Sequence, residues 1–128
     1  DLIQRSRDAL LARATPPPQN DGVALIAQER QRQINAEGWT TLHDDSHNRA
    51  ELVAAASCYA VLARRQIDRT VLLRADTIAA PQGWPWEPSW WKPSDDPIRN
   101  LVKAGALIAA ELDRLQRATP RVPAPEEP

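Results

Sequence analysis

The sequence predicts an all-α fold, a small helical domain with a Trp/Pro-rich loop between its two best helices. Three observations carry this expectation. Residues 23–37, 46–65 and 96–117 each place apolar side chains at helical spacing among good helix formers. Turn-forming residues, Asn20-Asp21-Gly22 and Gly38, bracket the first of these segments. Four of the five tryptophans fall in one proline-broken stretch, residues 80–93, which suits neither a regular helix nor a sheet interior.

A chain of 128 residues supports one core and is too short for two. Its hydrophobic content is 42%, much of it alanine, and phenylalanine is absent. Burial therefore has to come from the tryptophans and the leucine and isoleucine positions.

Residues 2–13 can form a short amphipathic helix with Leu2, Ile3, Leu10 and Leu11 as its apolar side chains, and Pro16-Pro17-Pro18 stops it. Residues 1–21 read equally well as an N-terminal helix with a proline-rich linker or as a connection to an upstream domain. The first residue is Asp1 and methionine is absent, which raises the expectation that translated sequence precedes it. Residues 22–118 form the expected helical domain, and the Pro- and Glu-rich residues 119–128 a flexible tail.

Within the domain, Asp21 is placed to cap a helix over residues 23–37, Gly38 to end it and Trp39 to anchor the following turn. Residues 40–48 form a polar junction. A second helix is expected from Asp45 or Ser46 to Arg64 or Arg65, alanine-rich and centrally packed, with Cys58 as a small core residue. Residues 70–73 suit a short strand or a helical turn. A last helix should run from Ser94 or Asp96 to Arg117, with Pro97 in its first turn. Leu101, Gly105, Ile108, Leu112 and Leu115 form one apolar stripe on it, with Val102, Ala106 and Ala109 beside them.

The formal charge is −1, from 16 basic and 17 acidic residues, so neither the basic stripe of a nucleic-acid binder nor an acidic DNA mimic is present. One cysteine excludes an internal disulfide framework and a Cys-rich zinc site and fits a reducing compartment. With no bilayer-length apolar run and no signal-peptide core, the expected location is cytoplasmic, without membrane partners. A glycine-rich phosphate loop, a His-Glu-x-x-His zinc motif and a serine-hydrolase elbow are all missing.

Polar residues gather at three places. Asp44, Asp45, His47 and Glu51 surround the start of the second helix, where His47 and Glu51 share a face if the helix begins there. Hard carboxylate oxygens suit magnesium and a helix N-terminus suits phosphate. Helix capping and solubility are the competing explanation. Glu29, Gln33 and Glu37 line one face of the first helix, and Glu29 meets Glu51 if the two helices run antiparallel; the alternative is a solvated face of weak Glu–Arg pairs. On the last helix Asp96, Asn100, Lys103 and Glu111 share a side, with Leu107 among them, so that this side is expected to be partly buried. Lys103 suits a phosphate, and Glu111 or Asp113 a second metal. In the loop, Trp84 and Trp86 can stack on a nucleobase, or Trp90 and Trp91 can lock the loop to an alanine-rich core.

The segments Ile26-Ala27-Gln28-Glu29-Arg30-Gln31-Arg32-Gln33, Glu37-Gly38-Trp39-Thr40, His43-Asp44-Asp45, Trp84-Pro85-Trp86 and Leu101-Val102-Lys103-Ala104-Gly105-Ala106-Leu107-Ile108-Ala109-Ala110-Glu111 resemble a family of small uncharacterised bacterial and phage proteins. The acidic helices also resemble, at a distance, the all-α nucleotide pyrophosphohydrolases related to MazG. That second resemblance implies magnesium held by Glu29 and Glu51, with Glu111 or Asp113 contributing from the late helix. Gln33 stands where another acidic residue would complete the paired pattern.

The leading functional expectation is a magnesium-dependent nucleotide phosphoanhydride hydrolase. Its metal ligands would be Glu29, Asp45, Glu51 and Glu111. Glu51, Lys103 and Glu111 would serve catalysis, and His47, Trp84, Trp86 and Asn100 would bind substrate. The alternative is a non-enzymatic phage or host interaction module that binds a protein or a nucleotide, including an anti-defence role. Alanine-rich helix faces allow a homodimer in either case.

Overall fold

The structure, a computed structural model, describes residues 21–69 and 74–119. The expected N-terminal helix and the undecided residues 70–73 lie outside the described residues. Within them every regular element is helical: α1 (Gly22–Glu37), α2 (Thr41–Asp45), α3 (Glu51–Ile67) and α4 (Pro97–Ala118), with single 3-10 turns at Ala75–Thr77 and Pro88–Trp90. No helix among them is long and apolar enough to cross a membrane.

α1 begins and ends as its sequence dictates. The Asp21 carboxylate accepts from the Ala24 amide at 3.0 Å, and Gly38 closes the helix in the left-handed region at φ 69°. The polar junction differs from expectation. It contains the short helix α2, capped by Thr40, and α3 starts only at Glu51. The cause is local: Ala50 adopts φ 65°, a left-handed conformation that interrupts helical continuation from Asp45.

α4 is the central element. It packs against α3 along most of its length and against α1 and α2, whereas α1 and α3 do not pack on each other. This corrects the antiparallel pairing of the first two long helices that would have joined Glu29 to Glu51. It also corrects the assignment of the core face of α4. Leu101, Ile108, Leu112 and Leu115, the large members of the apolar stripe, are each about half exposed, while Ala104, Leu107 and Ala110 are buried with Asn100 and Glu111. Small side chains there let α3 approach closely, so that Leu52, Ala55, Ala56, Tyr59 and Leu62 fill the space between the helices. Gly105, within the stripe, is where α1 crosses: a β-carbon there would lie 2.6 Å from Ile26 Cδ1.

The tryptophan loop closes over one side of this helix pair. Trp91 is buried, stacks on Tyr59 with ring centroids 4.7 Å apart, and donates its indole N–H to the Ile78 carbonyl at 3.1 Å. The loop is tied to α3 again by the Lys92 amide, which donates to the Tyr59 hydroxyl at 3.1 Å. Cys58 sits partly buried at the edge of the core, as a packed small residue, and burial pushes its thiol pKa upward.

A tryptophan-lined groove as the candidate functional site

Two cavities share one aromatic wall. The larger is an open groove of about 640 Å³ bordered by Trp39, His43, His47, Trp86, Glu87 and Trp90 with Pro85 and Pro88. Behind Trp39, Trp86 and Trp90 lies a second, narrow cavity of about 40 Å³ that also meets Glu29, Arg32, Gln33, Lys92 and Lys103. Gly38 turns the chain so that Trp39 reaches this wall, α2 presents His43, and the prolines hold Trp86 outside regular structure and Trp90 at the end of the 3-10 turn Pro88–Trp90.

The groove is built from rings in contact. Trp39 stacks on His43 at 5.6 Å, His43 meets His47 edge-on at 4.7 Å, and His47 lies 5.1 Å from Trp86. His47 Nδ1 is 3.1 Å from Glu51, whose other oxygen accepts the Arg49 amide at 2.6 Å. The expected His47–Glu51 pair therefore forms, although His47 lies outside α3; the left-handed turn at Ala50 folds the chain back over the start of the helix. Burial raises the Glu51 carboxyl pKa, and the hydrogen bonds from Arg49 and His47 outweigh it, so the net shift is downward.

The narrow cavity is chemically different. Glu29, only 3% exposed, is held by Arg32 at 2.7 and 2.8 Å, by Arg99 at 2.7 Å and by the Gln33 amide at 3.3 Å. Burial alone pushes its pKa up, but the two guanidinium groups prevail and hold it below the ordinary carboxylate value. The Lys103 amine donates to the Lys92 carbonyl and lies 5.5 Å from the Tyr59 ring centroid, with no carboxylate within 4 Å among the described residues. Desolvation and the Arg99 charge lower its pKa. Gln33 Oε1 and Trp86 Nε1 are both buried without a hydrogen-bond partner. They are an acceptor and a donor on the same aromatic wall.

The acidic residues expected to converge on magnesium are instead dispersed among arginines. Glu29 has Arg32 and Arg99, Glu111 has Arg114, and Asp45 has Arg117 at 2.8 Å. Asp44 rather than Asp45 is the buried carboxylate of the junction, bound to Arg30 at 2.7 Å. Asp113 lies 3.9 Å from Arg30 and half exposed. Among the described residues no group of three or more His, Cys, Asp or Glu side chains is placed to hold a metal ion. As arranged, these residues do not fit a shared magnesium shell, because guanidinium groups already occupy the cationic positions beside them.

The remaining expected residues separate cleanly. His47 and Trp86 reach the groove, whereas Lys103 and Trp84 line the narrow cavity behind it. Trp84 is packed edge-on against Tyr59 and Trp91. Asn100 is fully buried and faces neither cavity: its amide donates to Gln66 Oε1 and the Ser94 carbonyl at 2.8 Å each and accepts from the Ser94 amide at 2.9 Å. It braces the entry to α4. Trp39, Trp90 and Glu87 are groove residues that the sequence reading did not select. Trp39 carried a signal in Glu37-Gly38-Trp39, since a tryptophan straight after a helix-ending glycine is fixed by the turn. No family model, curated protein or solved structure matches the chain at a significant level.

Proposed function

We propose that the domain binds a nucleotide, with the base against Trp86 and Trp90 in the groove and the phosphate end directed toward the cations around the narrow cavity. The observation that carries this reading is the shared wall. One set of indole faces borders both an open aromatic groove and a pocket edged by Lys92, Lys103 and Arg32, the last paired with Glu29 and Glu37 of the same pocket. Indole rings stack on any base, and a half-buried ammonium without a carboxylate partner is suited to an anion. Trp86 Nε1 and Gln33 Oε1, a donor and an acceptor buried without partners, would supply polar contacts to a ligand at this wall.

Tryptophan fluorescence titrated with a panel of nucleosides and nucleoside mono-, di- and triphosphates tests this reading. Saturable quenching is expected, strengthening from nucleoside to triphosphate. Trp90→Ala should weaken binding by about 1–3 kcal/mol, the usual worth of one base–aromatic stack. Lys103→Ala should remove the preference for phosphates while nucleoside binding persists. No saturable response to any nucleotide would end this proposal.

Hydrolysis is the second reading, favoured by one observation: His47 borders the groove with Glu51 on its Nδ1, an arrangement that orients an imidazole as a base. With Glu51 on Nδ1, His47 Nε2 would take a proton from water as the water oxygen bonds to phosphorus and the bridging phosphoanhydride P–O bond breaks, its electron pair leaving on the departing phosphate. Magnesium, where bound, would stabilise charge on the phosphates, and a site for it requires Asp45 or Glu111 to exchange its arginine for the ion. Incubation of the nucleotide panel with and without magnesium, for the native chain, Glu51→Ala and Glu111→Ala, tests it. Turnover lost in both variants supports a hydrolase. Binding without turnover leaves a nucleotide-binding module.

A further inference from the structure

Both histidines of the chain border the groove. They belong to His43-Asp44-Asp45-Ser46-His47, which keeps the four-residue spacing of the helical zinc pair without its glutamate. α2 ends at Asp45, but the backbone carries the turn on: the Ser46 amide donates to the His43 carbonyl at 3.2 Å and the His47 amide to the Asp44 carbonyl at 3.0 Å. The two imidazoles therefore meet, with centroids 4.7 Å apart and planes inclined at 77°.

Each ring has a carboxylate at its Nδ1. Glu51 lies 3.1 Å from His47 Nδ1. Asp44 Oδ1 lies 3.5 Å from His43 Nδ1, longer than a good hydrogen bond, yet both atoms are buried and neither has a hydrogen-bond partner. Asp44 is fully buried, and Arg30 fixes its other oxygen at 2.7 Å. A carboxylate at Nδ1 favours the ring proton there and leaves Nε2 as a basic, unprotonated nitrogen. Both Nε2 atoms are open to solvent, and neither meets a donor or acceptor among the described residues. Packing on Trp39 and Trp86 accounts for the ring contacts. It does not account for two adjacent histidines, each with a carboxylate on one nitrogen and the other nitrogen open.

We propose that His43 and His47 hold one divalent transition-metal ion of the zinc class, their Nε2 edges turning onto it, with Asp44 and Glu51 as the carboxylates that orient the rings. Imidazole nitrogen suits zinc, nickel and copper, whereas magnesium prefers oxygen ligands, so this site is chemically distinct from the carboxylate shell that the arginines occupy. Two protein ligands leave positions on the ion for water. Because both rings border the groove, an oxygen or nitrogen of a molecule lying there can replace that water. An ion so held occupies the lone pair that a base at His47 would need, and the loaded site therefore belongs to the binding module rather than to the hydrolase.

The test uses the full, untagged chain without nucleotide, so it succeeds or fails independently of the nucleotide proposal. The imidazole signals are followed by NMR during titration with zinc chloride and, separately, magnesium chloride, and the zinc stoichiometry is read by calorimetry. Zinc should move the signals of both histidines together and saturate at one ion per chain, and magnesium should move neither. His43→Gln and His47→Gln should each remove the saturable response, with near-ultraviolet circular dichroism of the tryptophans reporting whether the groove is intact. Glu51→Gln keeps both nitrogens and should weaken zinc binding about tenfold, the lower end of what an orienting carboxylate contributes. Where a histidine variant disturbs the tryptophans, the native imidazole shifts and Glu51→Gln decide the matter. Zinc that leaves either histidine signal unmoved, a saturable response that survives both histidine variants, or undiminished affinity in Glu51→Gln overturns the site. A stoichiometry of one ion per two chains assigns the histidines to a bridge between copies and overturns it as well.

Discussion

Trp84 and Trp91 belong to the same loop as Trp86 and Trp90, yet the two pairs meet different surroundings. Trp91 is 8% exposed, stacked on Tyr59 and bonded to the Ile78 carbonyl, and Trp84 packs edge-on against both Tyr59 and Trp91. Trp90 is 50% exposed and borders an open groove, with Trp86 on the same wall. The inner pair replaces the large side chains that the alanine-rich helices lack. Trp90 spends its aromatic surface on the groove, while Trp86, partly buried and packed against Trp84 and the core, faces both. An aromatic side chain left half exposed beside a cavity is the pattern expected of a binding surface.

The largest effect that sharpens this contrast is on stability. Trp91→Ala should cost about 3–5 kcal/mol, since it empties a core position and orphans a carbonyl, as read by urea denaturation. Asn100→Ala should cost about 2–3 kcal/mol by the same measurement, because it removes a buried amide making three hydrogen bonds. A smaller loss with the loop intact would show that the brace is dispensable.

Ala50→Gly should stabilise the chain by about 1 kcal/mol, by relieving the left-handed conformation at φ 65°. Trp90→Ala should change stability by no more than about 0.5 kcal/mol, since the ring is half exposed. Destabilisation comparable to Trp91→Ala would erase the distinction between inner and outer tryptophans.

The narrow cavity adds a pH dependence. The Glu29 carboxyl is held below its ordinary value in the folded chain, so its ion pairs stabilise the fold above the unfolded-state pKa. That contribution is lost as pH falls from the ordinary carboxylate range through the lowered folded value. Denaturation curves compared across this acidic range should show a stability loss in the native chain that is reduced in Glu29→Gln. Equal acid sensitivity in both would remove Glu29 from the account.

The fold class was legible because helix spacing and capping act locally. Asp21, Gly38 and Asp96 cap or end helices where their side chains and backbone freedom suggested. The core face of α4 was not legible. Leu101, Ile108, Leu112 and Leu115 make the more hydrophobic stripe, yet alanines on the other side allow the closer helix approach, and the leucines remain outside. The late start of α3 was hidden for a related reason, since Ala50 carries no sequence signal for the left-handed conformation that breaks the helix.

The candidate site was half legible. His47–Glu51 and Trp86 could be named from spacing and composition, and both have places at the groove. The carboxylate cluster could not be judged without knowing which arginines reach it. Arg99 and Arg117 come from α4, and their pairing with Glu29 and Asp45 depends on how that helix is rotated, whereas Glu111 and Arg114 pair at i,i+3 within it.

The central claim is that ligand binding belongs to the outer tryptophans. A nitrogen-resolved spectrum of the five indole N–H groups, recorded during titration with a nucleoside triphosphate, tests it most directly. The expected result is saturable movement of the Trp86 and Trp90 signals with those of Trp84 and Trp91 nearly still. Movement confined to the inner pair, or no movement at any concentration, would contradict the account.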